Sequence, residues 1–357
     1  MSLSIGIVGL PNVGKSTLFS ALTDANALIA NYPFATIEPN SGIVPIPDPR
    51  LQKLAEIYKT EKIIPATVEF VDIAGLVAGA SHGEGLGNQF LSHIRATSAI
   101  CHVVRAFEDS NITRSGSSEP KNDIEIINTE LVLADLQTLN NRLPRLEKES
   151  RADSKLKPVY ETLLRAKELL EANTPVINDP EIDLGHLADL FLLTAKPVIY
   201  VFNVDEAILL DDAKKQELTD VVTPAKAVFI CAKLENELRG LDENDQKELL
   251  ESYGQHESGL VQLIHAAYST LGLQSYLTAG EKEVRAWTIR QNSTAPQAAG
   301  VIHTDFERGF IAAQVVSYED LVKNGSLVAT RAAGKVRTEG KDYIMQPDDV
   351  VEFRFNV

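Results

Sequence analysis

Residues Gly9 to Thr17 read GLPNVGKST: a glycine, four residues, then Gly-Lys-Ser. This spacing is the phosphate-binding P-loop pattern. An apolar, β-branched run, Leu3 to Val8, precedes it, and Ser16 to Leu22 suit a helix. Strand, loop and helix therefore follow in the order the pattern needs. Gly9 and Gly14 let the backbone curl, so that the N–H groups from Asn12 and Val13 through Gly14 to Thr17 point inward at phosphate oxygens. The helix starting near Lys15 adds its positive dipole end. The pattern sends the Lys15 ammonium to the β- and γ-phosphates and the Ser16 hydroxyl to a magnesium ion. The ligand class is a nucleoside triphosphate with Mg2+. A glycine-rich turn with a solvated lysine is the plain alternative, and the flanking strand and helix weigh against it.

That motif fixes only the first part of 357 residues, a length that suggests two or three domains. A net charge of −16 makes the surface as a whole repel nucleic acid and anionic membrane unless a local patch inverts the sign. The two cysteines, Cys101 and Cys231, lie in apolar β-like runs and read as buried thiols. MSLSIGIVGL lacks a basic segment and reads as a core strand rather than a signal peptide. No apolar run has membrane-spanning length, and a reducing cytoplasm is the expected location.

Strands are predicted at Leu3–Val8, Thr67–Asp72, Ile100–Phe107, Pro197–Asn203 and Ala227–Cys231, most of them continuously apolar, as parallel strands covered on both faces are. Helical segments separate them, so the first section is predicted as a doubly wound α/β sheet. From Asp123 to Ala195 the period changes. Ile124, Ile127, Leu131, Leu136, Leu139, Leu143 and Leu146 step by threes, fours and one five. Leu156, Val159, Leu163, Ala166 and Leu170 step by threes and fours. Two amphipathic helices predict an inserted αα-hairpin, with Pro144 kinking or ending the first. Between Arg142 and Lys167 eight basic residues face four acidic ones, a local excess of +4. Arg142, Arg145, Lys148 and Arg151 are candidate contacts for RNA phosphates; an ordinary solvated helix face is the alternative. Beyond Tyr276, predicted short strands at Val284–Arg290, Gly309–Val316, Ser326–Ala329 and Val350–Phe355 describe a small α+β domain with Phe306, Phe310 and Phe353 in its core. The expected division is 1–123 and 196–275 for the nucleotide domain, 124–195 for the insert and 276–357 for the last domain.

Three segments sit where a nucleotide switch needs them. DIAGL, Asp72 to Leu76, ends an apolar strand. Asp72 is placed for the magnesium shell, and the Gly75 N–H to sense the γ-phosphate. In NYPFATIEPN, Asn31 to Asn40, Thr36 is the preferred hydroxyl to complete the magnesium coordination, with Thr23 the weaker choice. Gly75 to Gln89 carries five glycines, which suits a loop ordered by nucleotide and released after hydrolysis. Ras-type proteins place a glutamine after the DxxG glycine to orient the attacking water; here that position is Leu76. His82, Glu84, Asn88 and Gln89 are in range by sequence, and none is favoured by spacing. Base choice lies in NVDE, Asn203 to Glu206, where GTPases of this topology carry Asn-Lys-x-Asp. Val204 replaces the lysine and Glu206 is one methylene longer than aspartate, which weakens a guanine clamp. Cys231-Ala232-Lys233 resembles the Ser-Ala-Lys loop that covers the base.

Together these segments resemble the YchF/Obg-like ATPases, a branch of the translation-factor-class P-loop proteins. The likeness spans the chain: GLPNVGKST, NYPFATIEPN, DIAGLVAGASHGEGLGNQFL, NVDE and the closing TEGKDYIMQPDDVVEFRFNV. The resemblance implies a Ras-like G domain with an inserted α-helical hairpin and a C-terminal α+β TGS-like domain. It implies ATP as nucleotide, alone or with GTP, ribosome binding, and a link to translation and stress. It also implies membership of the group in which a hydrophobic residue, here Leu76, stands in for the catalytic glutamine. Relatives often carry a histidine in Asn-Ile-x-His; this chain has Arg114 there, so a hydrolytic role for that histidine does not carry over. The expected function is a slow, magnesium-dependent ATPase acting as a switch on the ribosome, on its large subunit or the whole particle, with an rRNA contact, no membrane, and the chain a monomer. The alternatives are a dual-specificity or GTP-preferring switch, and a nucleotide-gated ribosome-binding protein with incidental hydrolysis. The placement of NVDE and DIAGL argues against a small-molecule kinase.

Overall fold

The computed structural model describes residues 3–27, 40–73, 86–107 and 119–356. They form two compact units, 1–44 with 69–270 and 45–68 with 271–357.

The first unit is built on a six-stranded sheet in the order Ser41–Pro45, Thr67–Asp72, Ser4–Val8, Ala99–Arg105, Val198–Asn203, Lys226–Ile230. The last five run parallel. All five residues of Ser4–Val8 and all seven of Ala99–Arg105 are buried, as expected of central strands covered on both faces. Their register sets the site. Ile7 lies opposite Asp72, Val8 opposite His102, and Asn203 opposite Arg105 and Ile230. The P-loop, Asp72, Asn203 and Cys231 therefore all emerge at the carboxyl edge of one parallel sheet, where ligands of such folds bind. The edge strand Ser41–Pro45 was not predicted; it is short, half-exposed and ends in proline, so it carries little hydrophobic signal.

The insert is a 33-residue helix, Pro120–Ala152, followed by Lys157–Glu171. Leu139, Leu143 and Leu146 of the first pack with Leu163, Ala166 and Leu170 of the second. Pro144 does not end the helix, which runs on to Ala152. Pro144 is exposed, so the carbonyl it deprives of a partner can be solvated, while leucines on the buried stripe hold the helix together. The root of the insert is fixed by Asp135, fully buried in mid-helix. Its carboxylate accepts from the Leu193 and Thr194 N–H groups at 2.9 and 2.8 Å and from the Thr194 hydroxyl at 2.7 Å. Lys196 donates to the carbonyls of Arg95 and Thr97, and Arg95 to the Thr138 hydroxyl at 3.4 Å.

The second unit has its own six-stranded sheet: Arg337–Glu339, Phe310–Ser317, Asp349–Phe355, Leu273–Ala279, Val284–Arg290 and Ile63–Ile64. Its last strand comes from the N-terminal half of the chain. The expected division put 45–68 in the nucleotide domain and opened the last domain at 276; in the structure 45–68 joins the unit that begins at Leu271. Helix Pro49–Tyr58 is started by Asp48, whose carboxylate accepts from the Arg50 N–H at 3.0 Å. The Arg50 guanidinium then reaches the Pro347 carbonyl and Asp348 at 2.8 and 2.9 Å. Ser326–Ala329, expected as a strand, instead opens the helix Leu327–Ala332, because the Ser326 hydroxyl caps it by accepting from the Ala329 N–H. Phe310 is buried with Tyr276, Val315 and Val351, whereas Phe306 and Phe353 are half-buried at the border of that core.

Candidate nucleotide site

The P-loop takes a shape that side chains would obstruct. Gly14 has φ 102°, and a Cβ there would stand 2.6 Å from Asn203 Nδ2. A Cβ on Gly9 would meet the Val103 carbonyl at 2.5 Å. Asn12 sits at φ 63°, a conformation asparagine tolerates better than most residues. Helix Lys15–Ala27 starts at the loop, with the Leu18 N–H bonded to the Gly14 carbonyl at 2.9 Å. Lys15 is buried and donates to the Leu10 carbonyl across the loop at 2.8 Å. Burial pulls its pKa down and the Asp72 charge pushes it back up. Beneath it His102 is buried against Tyr200, with ring centroids 5.1 Å apart. Burial, and secondarily the Lys15 charge, drive the His102 pKa down to about 3, so the floor under Lys15 is neutral.

Asp72 and Ser16 meet at the sheet edge. The Ser16 hydroxyl donates to Asp72 Oδ2 at 3.2 Å. Asp72 Oδ1 is buried and has no hydrogen-bond partner among the described residues. A hydroxyl beside a carboxylate oxygen with spare capacity is an oxygen donor set that fits magnesium. Thr23, the weaker candidate, is committed elsewhere: its hydroxyl donates back to the Phe19 and Ser20 carbonyls of its own helix. Thr36, Gly75, Leu76, His82, Glu84 and Arg114 lie outside the described residues.

On the base side a cleft is lined by Asn12, Gly14, Thr17, Phe107, Asn203, Val204, Asp205, Glu206, Cys231, Ala232 and Lys233. Residues about thirty and two hundred positions apart thus share one wall. Asn203 donates to the Val13 carbonyl at 3.1 Å, tying the base-side strand to the phosphate loop. Val204 is buried and its N–H bonds to the Ile230 carbonyl at 2.9 Å. Lys233 forms an ion pair with Glu206 at 2.8 Å, and that contact pulls the Glu206 pKa below the usual carboxylate range. Cys101 is a fully buried thiol pushed up to about 12 by desolvation, and Cys231 is also pushed up by burial. Sequence reasoning missed Phe107 as a pocket wall. It follows the strand Ala99–Arg105, and the Arg105 guanidinium stacks on its ring at 4.4 Å. The one available signal was an aromatic residue just past an apolar strand in such a sheet.

The basic stretch of the insert is largely paired within itself. Arg142 and Arg145 both engage Glu149, at 3.0 and 2.7 Å, and Arg151 engages Glu147 at 2.6 Å. Helical spacing brings these charges together. Arg165 is held by Asp179 and Glu181. Lys148 is exposed.

Two family models match this sequence. One described as a 50S ribosome-binding GTPase matches residues 4–144, and YchF-GTPase_C, described as a protein of unknown function, matches 273–356. The chain is 50% identical to the ribosome-binding ATPase YchF of Bacillus subtilis over all of both chains. It is also 50% identical, again over all of both, to the protein of that name from Haemophilus influenzae. The structure of the Schizosaccharomyces pombe YchF GTPase superposes with a TM-score of 0.86 at 38% identity, covering 99% of this chain and 98% of that one. With a P-loop, an Asp72–Ser16 pair and a base-side cleft on one sheet edge, and with similarity running end to end, this chain belongs to the YchF family.

Proposed function

We propose that this chain is a slow, magnesium-dependent ATPase that acts as a nucleotide switch on the ribosome, in translation and the response to stress. The observation that carries the chemistry is the buried Asp72 Oδ1, without a hydrogen-bond partner among the described residues, beside the Ser16 hydroxyl at the mouth of a P-loop closed by Lys15. In this reading Ser16, Asp72 and Thr36 hold Mg2+, which when bound neutralises phosphate charge. Lys15 exchanges the Leu10 carbonyl for phosphate oxygens, and backbone N–H groups from Asn12 to Thr17 cradle the rest. The Gly75 N–H senses the γ-phosphate, and Leu76 leaves water positioning to another group, which keeps the intrinsic rate low. Asn203, Val204, Glu206, Cys231, Ala232 and Lys233 face the base. Val204 offers no charged stem, and Glu206 is already occupied by Lys233, both of which favour adenine over a two-pronged guanine clamp.

Titration calorimetry with ATP and GTP, each with and without Mg2+, tests this. ATP is expected to bind more tightly, and only with the metal at full strength; GTP binding tenfold tighter than ATP would overturn the base assignment. A guanine-using switch is the second reading, favoured by the GTPase description of the model matching residues 4–144. Ribosome binding is inferred from the similarity to the ribosome-binding ATPases of Bacillus subtilis and Haemophilus influenzae. Cosedimentation with ribosomes is expected to weaken as salt rises. Reversing Arg142, Arg145, Lys148 and Arg151 to glutamate is expected to abolish it, and unchanged cosedimentation removes the insert from the contact. A cytoplasmic monomer is part of the same proposal. Among the described residues no helix is long and apolar enough to cross a membrane.

A further inference from the structure

Two carboxylates line the base-side cleft, Asp205 and Glu206. Asp205 is spent on its own helix, since its Oδ1 accepts from the Ile208 N–H at 3.0 Å. Glu206, at the position where the base-reading motif carries a carboxylate, is not free either. Its Oε1 holds the Lys233 ammonium at 2.8 Å. Tyr253 also helps to hold the Glu206 pKa down, although it is not among the residues lining the cleft. Tyr253 is held in place by packing, beside Leu249 and Leu250, against the core that includes Val204 and Leu234. The Glu206 carboxylate is thus ion-paired within the protein before any nucleotide arrives.

The chemistry of the bases gives this arrangement a consequence. Guanine presents two adjacent donors, N1–H and the N2 amino group, and a carboxylate reads them by offering both oxygens. Adenine presents one amino donor beside the bare N1 acceptor, and asks for a single carboxylate oxygen. With the Lys233 ammonium on one oxygen, the other oxygen still satisfies adenine, whereas guanine's second donor has to share an oxygen that already faces a positive charge.

We infer that Lys233, steadied through Glu206 by Tyr253, is a specificity-determining residue that excludes guanine by occupying one oxygen of the Glu206 carboxylate. The inference rests on the adenine-preferring reading of the same cleft and deepens it. Lys233 acts by withholding an acceptor, and Tyr253 is a positioning residue that acts only through Glu206.

Calorimetric titration of the full chain with ATP and GTP in excess Mg2+ tests it, using wild type, Lys233→Met and Tyr253→Phe. The readout is the ratio of the two dissociation constants, which cancels any effect on phosphate binding or on the active fraction. Lys233 is 66% exposed, so its replacement leaves the fold intact. Freeing one charged acceptor is expected to shift the GTP-to-ATP ratio toward GTP by about tenfold in Lys233→Met, and by a smaller factor in the same direction in Tyr253→Phe. A ratio within twofold of wild type in Lys233→Met overturns the inference, as does a shift away from GTP. An unchanged ratio in Tyr253→Phe alone removes Tyr253 from it. If wild type itself prefers GTP, the adenine reading fails first, and it does so in a measurement that involves neither variant.

Discussion

The phosphate loop and the base-side cleft sit on the same sheet edge and are built by opposite means. The phosphate loop works with backbone. Its shape is set by Gly14 at φ 102° and by the lack of room for a Cβ at Gly9 and Gly14. Its single charge, Lys15, is buried over a neutral His102. The base-side cleft is lined by side chains drawn from separate segments, among them Glu206 and Lys233. Backbone recognition suits a ligand part common to every nucleotide, and it tolerates almost no substitution. Side-chain recognition can be retuned one residue at a time. On the proposed reading, the difference makes nucleotide binding and nucleotide choice separable, with the Asn203 bond to the Val13 carbonyl tying the two regions.

Gly14→Ala strikes the backbone side and is expected to have the largest effect. It forces a left-handed conformation on alanine and drives a Cβ toward Asn203 Nδ2, which costs about a hundredfold or more in affinity for ATP and GTP alike. Calorimetry showing binding within tenfold of wild type would break the backbone account. Asp72→Asn is expected next. It keeps the shape and the partner of Ser16 but removes the charge, so the Mg2+ concentration needed for half-maximal ATP binding rises by about tenfold to a hundredfold. An unchanged metal titration would remove Asp72 from the magnesium shell.

Asn203→Ala tests the joint between the two regions. Loss of its bond to the Val13 carbonyl is expected to weaken ATP and GTP by about fivefold to tenfold each, leaving their ratio unmoved. A changed ratio would place Asn203 in base choice rather than in loop support, the opposite of what is expected of Lys233. The smallest effect concerns the floor. His102 is neutral in the fold, with its pKa at about 3 against 6.5 in an open chain. Between those values the unfolded chain binds the extra proton, so the His102 contribution is fully present above pH 6.5 and lost progressively as pH falls toward 3. Chemical unfolding of His102→Gln across that window is expected to show a shallower pH dependence than wild type, by at most about 1.4 kcal/mol per pH unit. Identical slopes would mean that His102 is protonated in the fold.

Much of the fold was legible in the sequence. The strands Ser4–Val8 and Thr67–Asp72 were predicted to within a residue, because buried parallel strands are continuously apolar. The insert was legible from its leucine spacing; of the two outcomes expected at Pro144, a kink or an end, the helix does not end there, since the proline is exposed and the leucines are not. Less legible was the passage of 45–68 into the second unit. Its evidence is a two-residue strand, Ile63–Ile64, paired with Val284 and Arg285, and an Arg50 contact with Asp348. Neither leaves a local signature.

The sequence by itself determined the ligand class and singled out candidate residues for phosphate and metal, because a P-loop is a local structure whose glycines and lysine lie within nine positions of one another. Only the tertiary structure decided which charges are free to act. Glu206 is neutralised by Lys233, Asp205 is absorbed by its own helix, and three of the four insert arginines are paired with Glu147 and Glu149. The physical reason is that a side chain's chemistry depends on what lies within a few ångströms of it. The chain brings those neighbours from across the fold.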